Sequence, residues 1–463
     1  MQKHACLTAA LILAGLCSAG SAAAETLQEA LVSAYTGNPN LLAQRARLRA
    51  ADEQVPQAVA GWRPTVKLTS DVGRTNTFTN DVPGISFNQT AVTSNKDVGV
   101  TLTQTIYRGG QTVAATKQAE ATVQAERALL DAAEETVLLN VVGAYMNVVQ
   151  GQAVLELSIN NEQVLQRQLD AANDRFRVGE VTRTDVAQAE SRLSAAHADR
   201  TQAEGNLRAA VANYITTVGH APANLVAPPA GEGLPVSVDE AHAQALQANP
   251  NLLNAQFTYD SAVYGIDAVV GQLLPTITLN ATAIKNYGYA GIGTYERVAQ
   301  ATVNLTVPIY QQGFEYSRVR AQKHTAGQLR LTIDESRRET VELVTRAWEA
   351  LQTSRARIRS YDDQIKAAQV ALEGVQRESQ VGSRTVLDVL NAEQELLNAR
   401  VNLVQAQHDE VVAAYQLRGT VGQLTAKALA LPVQLYDPTK HYEEVRDQWV
   451  GTGISPAYAE RVR

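Results

Sequence analysis

Past residue 24 the sequence has no cysteine, because Cys6 and Cys17 are its only two. A chain processed at that point has no disulfide and no cysteine metal ligand. Aromatic residues make up only 5% of the 463 residues, few for a large enzyme core, although the length would suit two or three domains. Positive charge is not in excess: 40 Lys plus Arg face 47 Asp plus Glu, for a net charge of −7. The electrostatic footprint of a nucleic-acid binder is therefore missing. Beyond the N-terminus no apolar run is read as approaching the roughly 20 residues that a membrane helix needs. A chain of this kind that crosses a membrane is expected to do so with strands. The histidines, His4, His197, His220, His242, His324, His408 and His441, show no His-Glu-x-x-His spacing. Gly288, Gly291 and Gly293 form a glycine-rich segment that neither follows a buried strand nor opens a helix, so it is no phosphate loop. No catalysis, cofactor or metal is expected.

The N-terminus reads as an export signal. Lys3 and His4 precede an apolar stretch from Ala5, and Ala22-Ala23-Ala24 before Glu25 fits small-residue cleavage. Lipid attachment at Cys17 is disfavoured by Leu16 immediately before it.

The most informative feature is an internal duplication. The segment Thr26-Leu27-Gln28-Glu29-Ala30 leading to Asn38-Pro39-Asn40-Leu41-Leu42 returns as Val238-Asp239-Glu240-Ala241 leading to Asn249-Pro250-Asn251-Leu252-Leu253. Pro64 and Pro275 keep that offset, and Val178-Gly179 and Asp185-Val186 return, at a shorter offset, as Val381-Gly382 and Asp388-Val389. The first copy is therefore longer between Pro64 and Tyr107, which suggests an exposed loop there. The expected organisation is a signal at 1–24, a first repeat at 25–222 with a β-hairpin at about 64–107, a second repeat at 223–422 with a hairpin at about 275–309, and an exposed, partly ordered tail at 423–463.

Each copy opens with a short helix that stops at Asn-Pro, since proline disfavours helix in the residue before it. A second helix is expected from Leu41 to about Val59, and from Leu252 to about Val270. Strict alternation follows. Val98, Val100, Leu102 and Ile106 alternate with threonines, as do Ile277 with Leu279, and Val303, Leu305, Val307 and Ile309 alternate with Thr302, Asn304 and Thr306. Val66 and Leu68 begin a less regular fourth strand. From Gln111 to about Arg177 the chain is rich in good helix formers and free of proline, and a helix of that span is about 100 Å long at ~1.5 Å per residue. Gly179 and Gly382 mark C-caps, and return helices reopen at Thr182–Asp185 and around Asp388. The many alanines let helices approach on two flanks; an ordinary antiparallel coiled coil would share much of this pattern.

Four strands of alternating polarity cannot close a membrane barrel, which needs about eight or more, and lipid tolerates no open edge. Several chains must share one barrel. Trp62, Tyr107 and Tyr310 at the helix-proximal ends, with Phe78, Phe87, Tyr287, Tyr289 and Tyr295 toward the loops, bracket the strands as interfacial girdles do.

The duplicated Asn-Pro-Asn helix entry, the Tyr107-Arg108-Gly109-Gly110 junction and the two helical tips around Gly179 and Gly382 resemble the TolC family of outer-membrane export ducts, over nearly all of residues 25–422. The resemblance implies an α+β membrane protein: a homotrimer whose twelve-stranded β-barrel in the outer membrane, four strands per chain, continues into a long periplasmic α-helical barrel. It also implies a periplasmic adaptor (a membrane fusion protein), an inner-membrane pump of ABC or RND type, outer-membrane lipid around the barrel, and no nucleic acid. Residue by residue, Asp388 matches a carboxylate of an acidic ring at the periplasmic entrance. Asn391 stands where a second acid is found in the family's best-known member, so the ring here is expected to be weaker. Arg384, Thr184 and Asp185 match residues that hold the closed state, with an Arg384 to Asp185 link as the expectation. Ser379 replaces a tyrosine of that network. Gly179 and Gly382 match tip glycines against which an adaptor hairpin docks. The bland reading of each is a helix cap, a dipole-favoured acid or a solvated charge. A coiled-coil periplasmic adaptor or a trimeric surface adhesin is the alternative function, disfavoured because neither calls for two hairpins spaced a repeat apart.

Overall fold

The computed structural model describes residues 25–79, 89–229, 233–288 and 293–454. The signal segment at 1–24, Phe87, Tyr289, Gly291 and the final residues of the tail lie outside them. In chain order the elements are α1 (Leu27–Gly37), α2 (Pro39–Asp52), α3 (Gln54–Val59), β1 (Thr65–Thr79), β2 (Gln89–Arg108), α4 (Gln111–Arg177), α5 (Arg183–Val218), α6 (Val238–Ala248), α7 (Pro250–Val270), β3 (Thr276–Tyr287), β4 (Tyr295–Thr306), α8 (Phe314–Gln380), α9 (Val386–Thr420) and α10 (Lys440–Val445).

The duplicated sequence folds through duplicated devices. Asn38 and Asn249 cap α2 and α7, their side chains accepting from the backbone N–H of Asn40 at 2.9 Å and of Asn251 at 3.0 Å, with Pro39 and Pro250 in the first helical position. Proline fits there because its missing N–H would be unsatisfied anyway. Thr26 with Glu29, and Ser237 with Glu240, start α1 and α6 in the same way. Helix α7 runs unbroken, as expected. The expected single helix from Leu41 to Val59 instead divides into α2 and α3 at Glu53. Pro56 has no N–H to give the Asp52 carbonyl one turn back, so the ladder fails at that point.

The chain forms two compact units, each drawing on both repeats: Met1–Ala34, Asn140–Ala230 and Ser354–Val412 in one, and Tyr35–Leu139, Gly231–Thr353 and Ala413–Arg463 in the other. The first has a core of Leu165 and Ala172 from α4, Ala189 and Ala196 from α5, and Val386 and Leu390 from α9. Ala189, Ala196 and Ala203 lie a heptad apart and are all buried, the seam of a close coiled-coil contact.

In the second unit the four strands form one antiparallel sheet in the order β1-β2-β3-β4. Pairing of β2 with β3 joins the two repeats, with Leu102 opposite Ala281 and Val100 opposite Ala283. The longer first copy turns out to lengthen the arms of its hairpin, 15 and 20 residues against 12 and 12, in place of the loop alone. One face carries Val66, Leu68, Val72, Phe78, Val98, Val100, Leu102, Leu279, Ala281, Ala283, Val303 and Leu305; the other is mostly Thr, Asn, Asp and Gln. The apolar face is exposed: Leu68 is 73% and Leu305 64% accessible. From Ile277 to Tyr287 the strand rises about 34 Å at ~3.4 Å per residue. At the ~40° tilt of membrane barrels that gives about 25 Å of height, the apolar band such barrels present to lipid.

Two expectations need correction. Helix α4 does contain an 18-residue window apolar enough to cross a bilayer by composition, 44% of it buried within the chain. The uncharged stretch at 137–154 does not stand out in the sequence because Asn140, Asn147 and Gln150 interrupt it; its Val141, Val142 and Tyr145 are fully buried. The tail is also more than an exposed appendage. Leu424 is buried, the Ala426 N–H donates to Glu134 Oε1 at 2.6 Å, the Tyr436 N–H donates to the Tyr35 hydroxyl at 3.0 Å, and buried His441 on α10 meets the buried carboxylate of Asp52 at 3.2 Å. Arg45 lies over both Tyr35 and Tyr436. Within the segment that suggested solvation, His441 is the partner of a buried acid, while Glu443, Glu444, Arg446 and Asp447 are exposed as expected.

Candidate functional site

The two helical tips belong to the first unit. At the end of α4, Gly179 adopts φ +82, and at the end of α8, Gly382 adopts φ +81. That left-handed turn lets the Glu180 N–H reach the Arg175 carbonyl at 2.9 Å and the Ser383 N–H reach the Glu378 carbonyl at 3.0 Å, closing each helix. A Cβ on either glycine would meet nothing within 4 Å, so the turn, and no crowding, asks for glycine.

The return helices open on twin capping boxes. Asp185 Oδ2 accepts from the Thr182 N–H at 2.9 Å and the Thr182 hydroxyl at 2.8 Å, while the Asp185 N–H donates to Thr182 Oγ1 at 3.3 Å. Asp388 and Thr385 repeat the arrangement at 3.0, 2.8 and 3.3 Å. The Thr385 N–H, then its hydroxyl, then the nearby charge of Arg384 hold the Asp388 carboxyl below its usual range. Each acid therefore spends one oxygen on its helix, and Asp388 stays charged.

Arg384 donates from Nε to Glu378 Oε2 at 3.0 Å, across its own tip. Within the chain it does not reach Asp185, whose carboxylate is engaged by Thr182, so the expected Arg384 to Asp185 link is replaced by a local pair. Glu378 escapes a reading of the sequence because it sits on the outgoing helix, six residues before Arg384, where no helical spacing points to a partner. Asn391 accepts from Arg192 Nη2 at 2.9 Å, a tie between the two hairpins that the sequence does not indicate. Thr184 is exposed on the first turn of α5, and Ser379 is buried.

Beside the glycines, Val178 is 73% and Val381 80% accessible. An exposed apolar side chain therefore stands at the tip of each hairpin. Among the described residues no group of three or more His, Cys, Asp or Glu could hold a metal ion.

A family model described as "Outer membrane efflux protein" matches residues 30–220 and 242–423. The chain is 37% identical over 447 residues to the outer membrane efflux protein BepC of Brucella suis biovar 1 (strain 1330), covering 96% of each. It is 28% identical over 444 residues to the outer membrane protein TolC of Escherichia coli (strain K12), covering 93% of this chain and 88% of that one. Among solved structures, the Campylobacter jejuni CmeC outer membrane channel superposes with a TM-score of 0.79 at 16% identity, over 91% of this chain and 89% of the other.

Proposed function

The chain belongs to the outer membrane efflux protein family, and from that premise we propose that three copies close a single duct whose periplasmic mouth is narrowed by the tips around Asp388. It is an outer-membrane channel with its long helices in the periplasm, and proteins of this family transport without catalysing. The observation that carries the trimer is the sheet: four strands with an apolar outer face, ending in β1 and β4 as edges. Edges in lipid must be paired, and one chain has too few strands to pair its own. Detergent-extracted protein from outer membranes is expected to migrate as a heat-sensitive trimer; a stable monomer needing no detergent would refute the duct.

At the mouth, three Asp388 carboxylates form a negative constriction that favours cations. Asp388→Asn keeps an acceptor for the Thr385 cap and removes the charge. It is expected to bring the reversal potential under a salt gradient in planar bilayers most of the way to zero. Because the cap holds the acid below the usual carboxylate range, wild-type cation selectivity persists as pH falls to 4. Equal reversal potentials for wild type and variant would remove the ring.

Arg384, Thr184 and Asp185 are proposed to hold the closed mouth, with Arg384 acting through Glu378. Arg384→Gln is expected to raise the single-channel conductance of the isolated trimer severalfold, and wild-type conductance would withdraw the latch. Gly179, Gly382 and the adjoining valines are the proposed docking points for a periplasmic adaptor, which connects to an inner-membrane pump of ABC or RND type. The Tyr107-Arg108-Gly109-Gly110 junction favours the branch that serves type I secretion as well as efflux; crosslinking the trimer in cells and identifying the co-purifying pump tests that assignment.

A further inference from the structure

The charges of the sheet are sorted by face. Register puts Lys67, Asp71, Asp97, Arg108 and Glu296 on the polar face, so every carboxylate of the described strands points there. The apolar face carries four cations and no acid: Arg74 on β1, Lys96 on β2, Lys285 on β3 and Arg297 on β4. All four lie toward the hairpin ends, Lys285, Arg297 and Lys96 at the outer limit of the apolar band and Arg74 one rung beyond it, away from the helices. They occupy successive rungs. Lys285 is directly opposite Arg297, and one rung further out Lys96 faces Tyr287, which faces Tyr295. Among the described residues none of the four has a carboxylate within ion-pair distance.

Like charges directly opposite one another on neighbouring strands are destabilising unless something neutralises them. The tyrosines orient the cations without doing so: Lys285 Nζ lies 4.5 Å from the Tyr287 ring centroid and 5.1 Å from that of Tyr295, and the Arg297 guanidinium lies 5.5 Å from Tyr295. Such rings supply a quadrupole and no net charge. Tyrosines of this kind sit at the level of lipid headgroups. With same-face rungs ~7 Å apart and strands ~4.8 Å apart, the outermost pair, Arg74 and Arg297, have backbones about 20 Å apart, a span that the long Lys and Arg side chains narrow toward a headgroup with two separated phosphates.

We infer that Arg74, Lys96, Lys285 and Arg297, with Tyr287 and Tyr295, form a binding site on the outer wall of the barrel for the phosphate-bearing headgroup of an outer-leaflet glycolipid. The inference rests on the trimeric duct, in which the apolar face meets lipid and the hairpins point outward. Acyl chains lie along Val100, Ala283 and Ala299, one rung below Lys285 and Arg297, and each phosphate accepts charge-assisted hydrogen bonds from Lys and Arg.

The test begins with trimers already shown to be heat-sensitive and cation-selective, so that failure of the duct and failure of the lipid site are told apart. Native mass spectrometry then compares an acylated glucosamine disaccharide bearing two phosphates with its phosphate-free form. The phosphorylated lipid is expected to bind the wild-type trimer about tenfold or more tightly, the effect of one or two charged contacts, and the double variant Lys285→Gln, Arg297→Gln is expected to lose that preference. Equal binding of the two lipids by the wild type overturns the site whether or not the variant folds. So does a variant that keeps the preference, or displacement by inorganic phosphate alone, which would mark a simple anion site.

Discussion

A valine in place of Gly109 is expected to leave almost no trimer in the outer membrane. Gly109 lies where β2 gives way to α4, at φ +56, and a Cβ there would stand 2.2 Å from the Gly271 carbonyl oxygen and 2.8 Å from the Leu274 Cβ. The approach is mutual, because a Cβ on Gly271 would stand 2.5 Å from the Gly109 carbonyl oxygen. Gln111 Nε2 also donates to the Gly271 carbonyl at 3.0 Å, fastening the two junctions. The obstacle is backbone on both sides, so no side chain can rotate away. Left-handed strain adds about 1–2 kcal/mol for any residue with a Cβ, and prising the junctions apart adds several more, enough to remove the margin of a typical domain. Gly110 is the control: its φ is +76 but nothing lies within 4 Å of a Cβ, so Gly110→Ala bears the strain alone. Comparing the yield of heat-sensitive trimer in membranes checks both. Wild-type yield from Gly109→Val would mean that the junction is far more yielding than its distances imply.

Glu135→Gln is expected to act in the opposite direction, raising thermal stability at pH 8 and leaving it unchanged at pH 4. Glu135 is buried on α4 among Asp131 and Glu134; burial first, then the charge of Asp131, pushes its carboxyl up to about 9 from 4.5, against a hydrogen bond from the Leu424 backbone. A carboxyl raised on folding gives its full stability below the unfolded value, and that contribution is lost as pH rises toward the folded one. The loss therefore runs from pH 4.5 to about 9. Each pH unit crossed in that window removes at most ~1.4 kcal/mol. Because the three acids titrate together, a few kcal/mol at pH 8 is the scale expected for the glutamine variant. Melting curves followed by helical circular dichroism across that range are the check, and parallel pH slopes for the two proteins would show that Glu135 is not the group responsible.

Local chemistry made much of this molecule legible in advance. Threonine and valine alternate because one face of each strand is wet and the other dry, so β2 and β3 could be read directly; the alternation read through Val307 and Ile309 overruns β4, which ends at Thr306 just before Pro308. Thr182 to Asp185 and Thr385 to Asp388 carry the spacing of a capping box, and Gly179 and Gly382 carry the turn before it. What could not be read depends on partners distant in sequence or unlike in kind. Pairing of β2 with β3 has no local signal, and it is what turns two hairpins into one sheet. Arg384 chose Glu378 over Asp185 because the tip turn brings the outgoing helix within reach while Thr182 has already claimed the aspartate. His441 looked solvated because the sequence does not show Asp52 buried beneath it.

The unequal arms of the two hairpins shape what the outside world meets. Beyond the rung of Lys96 and Tyr287, β1 and β2 continue to pair with each other, from Asn95 opposite Gly73 out to Gln89 opposite Thr79, whereas β3 and β4 stop at Tyr287 and Tyr295. In a closed ring, as far as the described residues run, each subunit therefore sets one longer ribbon, from the first repeat, beside one shorter ribbon from the second.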